Sequence, residues 1–171
     1  MKLTPVMTRF ILHWGEMGSR WGVNRTVSQI HALLYLSDAP LTAETISDVL
    51  QVARSNVSTS LRELQSWGLV KMIHVIGDRR DHFESHHDVR EIFRVVITER
   101  KKREIDPTLI VLRSCLDEAG NETPKDVRER MQETLEFMEL LTGIFDEVTK
   151  LPDASMMAWL KTGLKAKKLL G

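Results

Sequence analysis

Between Thr42 and Glu84 the sequence sets two short helical stripes close together and then breaks into a β-rich run. The first stripe is Ile46, Val49 and Leu50, behind Thr42, whose hydroxyl can cap a helix over 43–50. Only Gln51-Val52 separates it from ARSNVSTSLRELQSWG, where Val57, Leu61 and Leu64 recur at gaps of four and three. Gly68 supplies the left-handed residue that ends such a helix. Residues 69–76 are rich in β-branched side chains and Gly77-Asp78 is a turn signal, which predicts antiparallel strands over 70–76 and 81–84. Short helix, tight turn, helix, hairpin is the order of a winged helix-turn-helix.

The flanks read as helices. One is expected over 5–18, stopping near Gly18, and a second from Arg25 or Thr26 to Ser37 with Val27, Ile30, Leu33 and Leu34 on one face. Asp38-Ala39-Pro40 ends the second, because proline disfavours helical geometry in the residue before it. A helix from near Asp88 carries Ile92, Val95 and Val96 and runs into the charged ERKKRE at 99–104. Asp106-Pro107 predicts a restart with Asp as N-cap, and Thr123-Pro124 predicts another. Over 124–149, Val127, Met131, Leu135, Met138, Leu141, Phe145 and Val148 form a narrow seam like that of a coiled coil. Pro152-Asp153 predicts the start of a last helix. The fold class expected is mainly α with a small β-hairpin wing.

On a helical wheel the second stripe has a distinctive opposite face. Ser55, Thr59, Arg62 and Ser66 oppose the apolar side, and Arg54, Asn56 and Ser58 flank the N-terminal end. Short hydroxyl and amide side chains permit close approach to a duplex, and an arginine reaches a guanine or a phosphate. A plain amphipathic surface helix would also show a serine-rich face. The hairpin tip adds weight: Gly77-Asp78-Arg79-Arg80 sets two arginines on a ribbon, where a narrow minor groove attracts them. Asp78 is placed to hold an arginine by a bidentate pair. A solvated turn with a surface ion pair is the bland alternative.

Charge is uneven in a way that agrees. The net charge is zero, but residues 53–104 carry 11 basic and 8 acidic side chains, whereas 105–171 carry 9 and 12. The middle is the place for a polyanion. The start of the chain lacks the pattern of a secretory signal, and no apolar run is long enough for a membrane span, so a cytoplasmic protein is expected. No glycine-rich phosphate loop, HExxH or nucleophile motif is present, so no enzyme activity and no cofactor are expected.

RSNVSTSLRELQSWGLVK followed by GDRRDHFE resembles the GbsR-type branch of the MarR superfamily of transcriptional regulators. LTAETISDVLQV, HWGEMGSRWGVNRTVSQIHALLYLSDAPL and EIFRVVITERKKREIDPTL are similar to that branch too, with 42–104 the most specific part. The resemblance implies a homodimer on a palindromic double-stranded operator, with a winged helix-turn-helix over 20–100 and a helical dimerisation region over 1–19 and 101–171. It implies repression, and an effector of the choline or quaternary-amine class. Residue by residue, Arg54, Ser55, Asn56, Ser58, Thr59 and Arg62 fall on the recognition helix. Asp78 and Arg80 match the Asp-x-Arg of the wing, with Arg79 between them. The sequence departs from the pattern at Gln51, where such turns often use glycine, and at Phe83-Glu84-Ser85, where Leu-Thr usually follows the wing.

Other constellations have duller readings. His82, His86 and His87 with Asp88 have metal-ligand chemistry, but no second ligand pair at helical spacing accompanies them, and no metal site is expected. Cys115, on or beside the face with Leu112 and Leu116, reads as an inert core residue before a redox sensor. Trp14, Trp21 and Tyr35 are candidates for an effector site, because a cation without N–H groups is held by aromatic faces; Phe10 could complete such a cage. Core or dimer packing is the commoner use of such rings, and also the reading for Trp67 and Trp159. The rival function is a winged-helix module that binds protein and not DNA, which near-neutral charge permits.

Overall fold

The computed structural model describes residues 1–151 and Thr162; the expected last helix and Trp159 lie outside the described residues. The architecture is mainly helical with one small antiparallel sheet, a winged helix-turn-helix followed by further helices. In order, the elements are α1 (Pro5–Arg20), α2 (Arg25–Tyr35), β1 (Leu41–Thr42), α3 (Ala43–Leu50), α4 (Arg54–Ser66), β2 (Val70–His74) and β3 (Asp81–Ser85). Then come α5 (Val89–Arg100), a π-helical turn (Lys101–Ile105), α6 (Asp106–Glu118) and α7 (Lys125–Lys150). The chain divides into two compact units, Met1–Val96 and Ile97–Gly171.

The first unit is built on α2. Its Ile30, Leu33 and Leu34 are fully enclosed, and Ile11, Ile46, Val57, Leu61, Leu64 and Phe83 close around them from other elements. Helix α1 starts at Thr4, whose side chain accepts from the Met7 N–H, and runs past the expected stop at Gly18 to Arg20. Gly18 has another purpose. A Cβ there would collide with the Ser28 side chain, so glycine is what lets α1 lie close on α2. The left-handed residue of this turn is Gly22, at φ 76°.

The sheet has a strand more than the expected hairpin. Its order is β1-β3-β2, all antiparallel, with Leu41 opposite Phe83 and Met72 on the other side of Phe83. β2 ends at His74, short of the expected 76. Val75 and Ile76 have good strand chemistry but no ladder partner, because the facing Arg80 N–H already donates to Asp78 Oδ1 at 3.0 Å. The Asp78 N–H closes the turn onto the Val75 carbonyl at 3.0 Å.

In the second unit the chain does not restart at Asp106-Pro107. Asp106 has helical dihedrals, φ −57° and ψ −43°, and its N–H donates to the Lys101 carbonyl across the π-helical turn. Pro107 offers no N–H and its ring would crowd the carbonyl four residues back; a widened turn accommodates it without ending the helix. The Asp106 carboxylate caps nothing and instead accepts from Lys101 Nζ at 2.9 Å. Thr123 is likewise not the cap of α7; Pro124 holds that position without a side-chain bond. Helices α6 and α7 are joined by Arg113, whose Nη2 donates to Glu139 Oε1 at 2.6 Å. Of the α7 seam, Leu135 is buried and Leu141 is half exposed. Beside it runs a second apolar row, Phe137, Leu140 and Ile144, open to solvent together with Ile110 and Val111 of α6.

Candidate nucleic-acid interface

The helix pair at the centre of the first unit is fixed by three local devices. The Thr42 hydroxyl accepts from the Thr45 N–H at 3.2 Å and caps α3. Gln51 then takes the left-handed conformation, φ 53° and ψ 44°, in the place where glycine would fit at least cost. Its Nε2 donates to the Asp48 carbonyl, and the Ser47 hydroxyl donates to the Val52 carbonyl at 2.7 Å. The turn is thus held by side chains on both sides. Helix α4 leaves it with Val57, Leu61 and Leu64 at 0%, 2% and 1% exposure. Burying three such side chains is worth roughly 1.5–3 kcal/mol each. Ser60 is buried beside them.

All six residues that the resemblance puts on the recognition helix are exposed: Arg54, Ser55, Asn56, Ser58, Thr59 and Arg62. Arg62 is steadied from its own helix, Nη2 lying 3.4 Å from Thr59 Oγ1. The first turn carries no side-chain cap, so its N–H groups face outward where an anion can meet them. Gly68, at φ 74°, turns the chain into β2.

Across from α4, the wing is braced by its own carboxylate. Arg80 Nε and Nη2 donate to Asp78 at 2.9 and 2.6 Å, the bidentate pair expected from the sequence. These bonds hold the Asp78 carboxyl well below the usual carboxylate range. Arg79 is exposed at the tip. A groove of about 470 Å³ separates helix from wing, with Arg54, Ser58 and Arg62 on one wall and Arg79 and Arg80 on the other.

Sequence reasoning missed Glu44. It stands on α3 at the end of this groove, with Oε1 3.1 Å from Arg54 Nη1 and Oε2 3.8 Å from Arg80 Nη1. Its partners are ten and thirty-six positions away in sequence, so no local spacing signals the contact. His31 was missed too. It is buried on α2 at 5% exposure, and its Nε2 has no hydrogen-bond partner.

The remaining candidates are dispersed. The three imidazoles after the wing serve separate contacts: His82 Nδ1 lies 2.9 Å from the Arg80 carbonyl, His86 Nε2 3.1 Å from the Gly68 carbonyl, and His87 meets the Tyr35 ring edge-on. Among the described residues no three His, Cys, Asp or Glu side chains gather as metal ligands. Phe10 stacks on both Trp14 and Tyr35, at 5.3 and 6.4 Å between centroids, so one face of each candidate ring is covered. Trp21 is 56% exposed and takes no part in that stack. Cys115 is not the core residue expected: it is exposed on α6. No helix among the described residues is long and apolar enough to cross a membrane.

The MarR family sequence profile matches residues 21–81, which hold α2 to α4, β2 and the wing tip. No curated protein matched the chain. A solved structure described as that of a transcriptional regulator shares the fold: 19% identity over 85% of this chain and 96% of that one, with a TM-score of 0.66. The transcriptional regulator Tm0710 from Thermotoga maritima aligns at 17% identity over 86% and 94% of the two chains, with a TM-score of 0.40. A mutant of MepR from S. aureus, bound to an oligodeoxyribonucleotide, aligns at 18% over 84% and 99%, also at 0.40. At that score neither superposition bears on this chain.

Proposed function

We propose that this protein is a sequence-specific DNA-binding transcriptional regulator that acts as a homodimer and represses. One observation carries the reading: Arg54, Ser58 and Arg62 from the exposed polar side of α4 and the Asp78-braced wing stand on the two walls of a single groove, with Ser55, Asn56 and Thr59 exposed outside its lining. In this reading α4 enters the major groove, with Arg62 at base edges and Arg54, Ser55, Asn56, Ser58 and Thr59 at bases or phosphates. Arg79 and Arg80, oriented by Asp78, follow the flanking minor groove. The winged helix-turn-helix is taken as 20–100. The dimerisation region is taken as 1–19 and 101–171, for which the open apolar row on α7 is the support. Two recognition helices related by a two-fold axis then demand a palindromic operator with half-sites about one helical turn apart.

The test is an anisotropy titration on the DNA upstream of the protein's own coding sequence. Arg80→Ala weakens binding to every duplex and lowers the salt slope by about 1, whereas Arg62→Ala also relaxes base preference. Unchanged binding by both variants sinks the assignment. Failure of the wild-type protein to bind DNA across a range of salt favours the protein-binding alternative, to which Glu44's hold on two groove arginines lends some support. Effector control is part of the proposal, with a choline-like quaternary amine the first class to try and Trp14, Trp21 and Tyr35 the first residues to change. That part rests on the resemblance, and DNA affinity indifferent to choline and glycine betaine removes it.

A further inference from the structure

We infer that Glu44 is a built-in stand-in for a DNA phosphate, competing with the backbone for Arg54 and Arg80 and so restraining binding to DNA of any sequence. The inference rests on the DNA-binding reading and adds a regulatory residue to the same groove.

The geometry is specific. One carboxylate spans two guanidinium groups from different elements, Arg54 at the start of α4 and Arg80 on the wing, at 3.1 and 3.8 Å. These are the two cations on either side of the groove's end, where a strand of phosphates entering between helix and wing meets them together. Asp78 has a different task. It grips Arg80 through three bonds to Nε and Nη2, fixing the orientation of the guanidinium. Glu44 reaches the remaining nitrogen, Nη1, which is the one left to face a phosphate.

All three side chains are more than half exposed, so the pairs are weak and screened, and a phosphate can displace the carboxylate. The effect is therefore a few-fold restraint and not a lock. Because it acts on phosphate contacts, it weighs equally on operator and unrelated DNA. Binding then depends more on what Arg62 and its neighbours read at the bases.

The experiment compares Glu44→Gln with Asp48→Asn. Asp48 lies on the same helix with the same charge, exposed and outside the groove lining. Both variants and the wild-type protein are titrated on the upstream duplex and on a scrambled duplex, from about 50 to about 200 mM salt. The expected result for Glu44→Gln is about 3- to 10-fold tighter binding to both duplexes, with a salt slope steeper by about 1. Asp48→Asn should gain clearly less, and in an Arg54→Ala background the Glu44→Gln gain should shrink. An equal gain from both variants overturns the inference, since net charge alone then explains it. Weaker operator binding by Glu44→Gln also overturns it, because the residue would then be supporting the complex. If wild type binds and Glu44→Gln matches it, only this inference fails; if none of the proteins binds either duplex, the DNA-binding reading fails with it.

Discussion

Replacing His31 by leucine should remove its share of the stability that the wild-type protein is expected to lose on acidification. The imidazole is buried, with its Nε2 unpaired. Burial first, and the nearby His86 second, lower its pKa from 6.5 to about 4. Above pH 6.5 the ring is neutral folded or unfolded, and stability is complete. Between 6.5 and about 4 the unfolded chain takes up a proton that the folded chain refuses, so stability falls as pH falls. At about 1.4 kcal/mol per pH unit, that interval removes about 3 kcal/mol, a large share of a small domain's stability. Below about pH 4 this contribution levels off. His31→Leu leaves no proton to refuse and removes an unsatisfied polar atom, so it should equal or exceed wild type at pH 7. Other titrating groups are common to both proteins, including Asp78 and Asp88, the latter lowered to about 2 by Arg90. His86, with Glu91 3.5 Å away, is present in both proteins. Urea unfolding at several pH values from 7 to 4 measures the difference. Parallel wild-type and variant profiles would refute the reasoning.

Gln51→Gly should stabilise the protein by up to about 1 kcal/mol in urea unfolding, since φ 53° suits glycine, though the lost bond to the Asp48 carbonyl offsets part of the gain. Gly18→Ala should cost about 1–3 kcal/mol by thermal or urea unfolding, because Ser28 occupies the space of the new methyl. On the homodimer proposed above, Phe137→Asp combined with Leu140→Asp should shift sedimentation from dimer to monomer and cut affinity for the proposed operator; a dimer that survives puts its contacts elsewhere.

The parts of the fold that local chemistry dictates were legible. The Val57, Leu61 and Leu64 stripe could face only inward, so Arg54, Ser55, Thr59 and Arg62 had to face out. Asp78 and Arg80, two residues apart at a turn, were within reach of each other from the sequence alone. What stayed hidden depended on partners remote in sequence. Leu41–Thr42 is too short to signal a strand until β3 lies beside it. Glu44 reads as an ordinary first-turn acid on α3 until the wing folds back to it. His31 looks like a polar interruption of a helix stripe, and only the closed core shows that it is inside. Asp106-Pro107 misled because the same pair that starts a helix also fits a widened turn within one.

The sheet order β1-β3-β2 leaves β2 at an edge, with Lys71, Met72 and His74 exposed along it. An edge strand with unpaired backbone groups is a template for a strand from another molecule. In concentrated, DNA-free solution this edge is where unwanted strand-by-strand association would start, and Lys71 is the charge that opposes it. Storage behaviour and solubility of the purified protein therefore depend on a strand that also contributes Met72 to the groove beside α4.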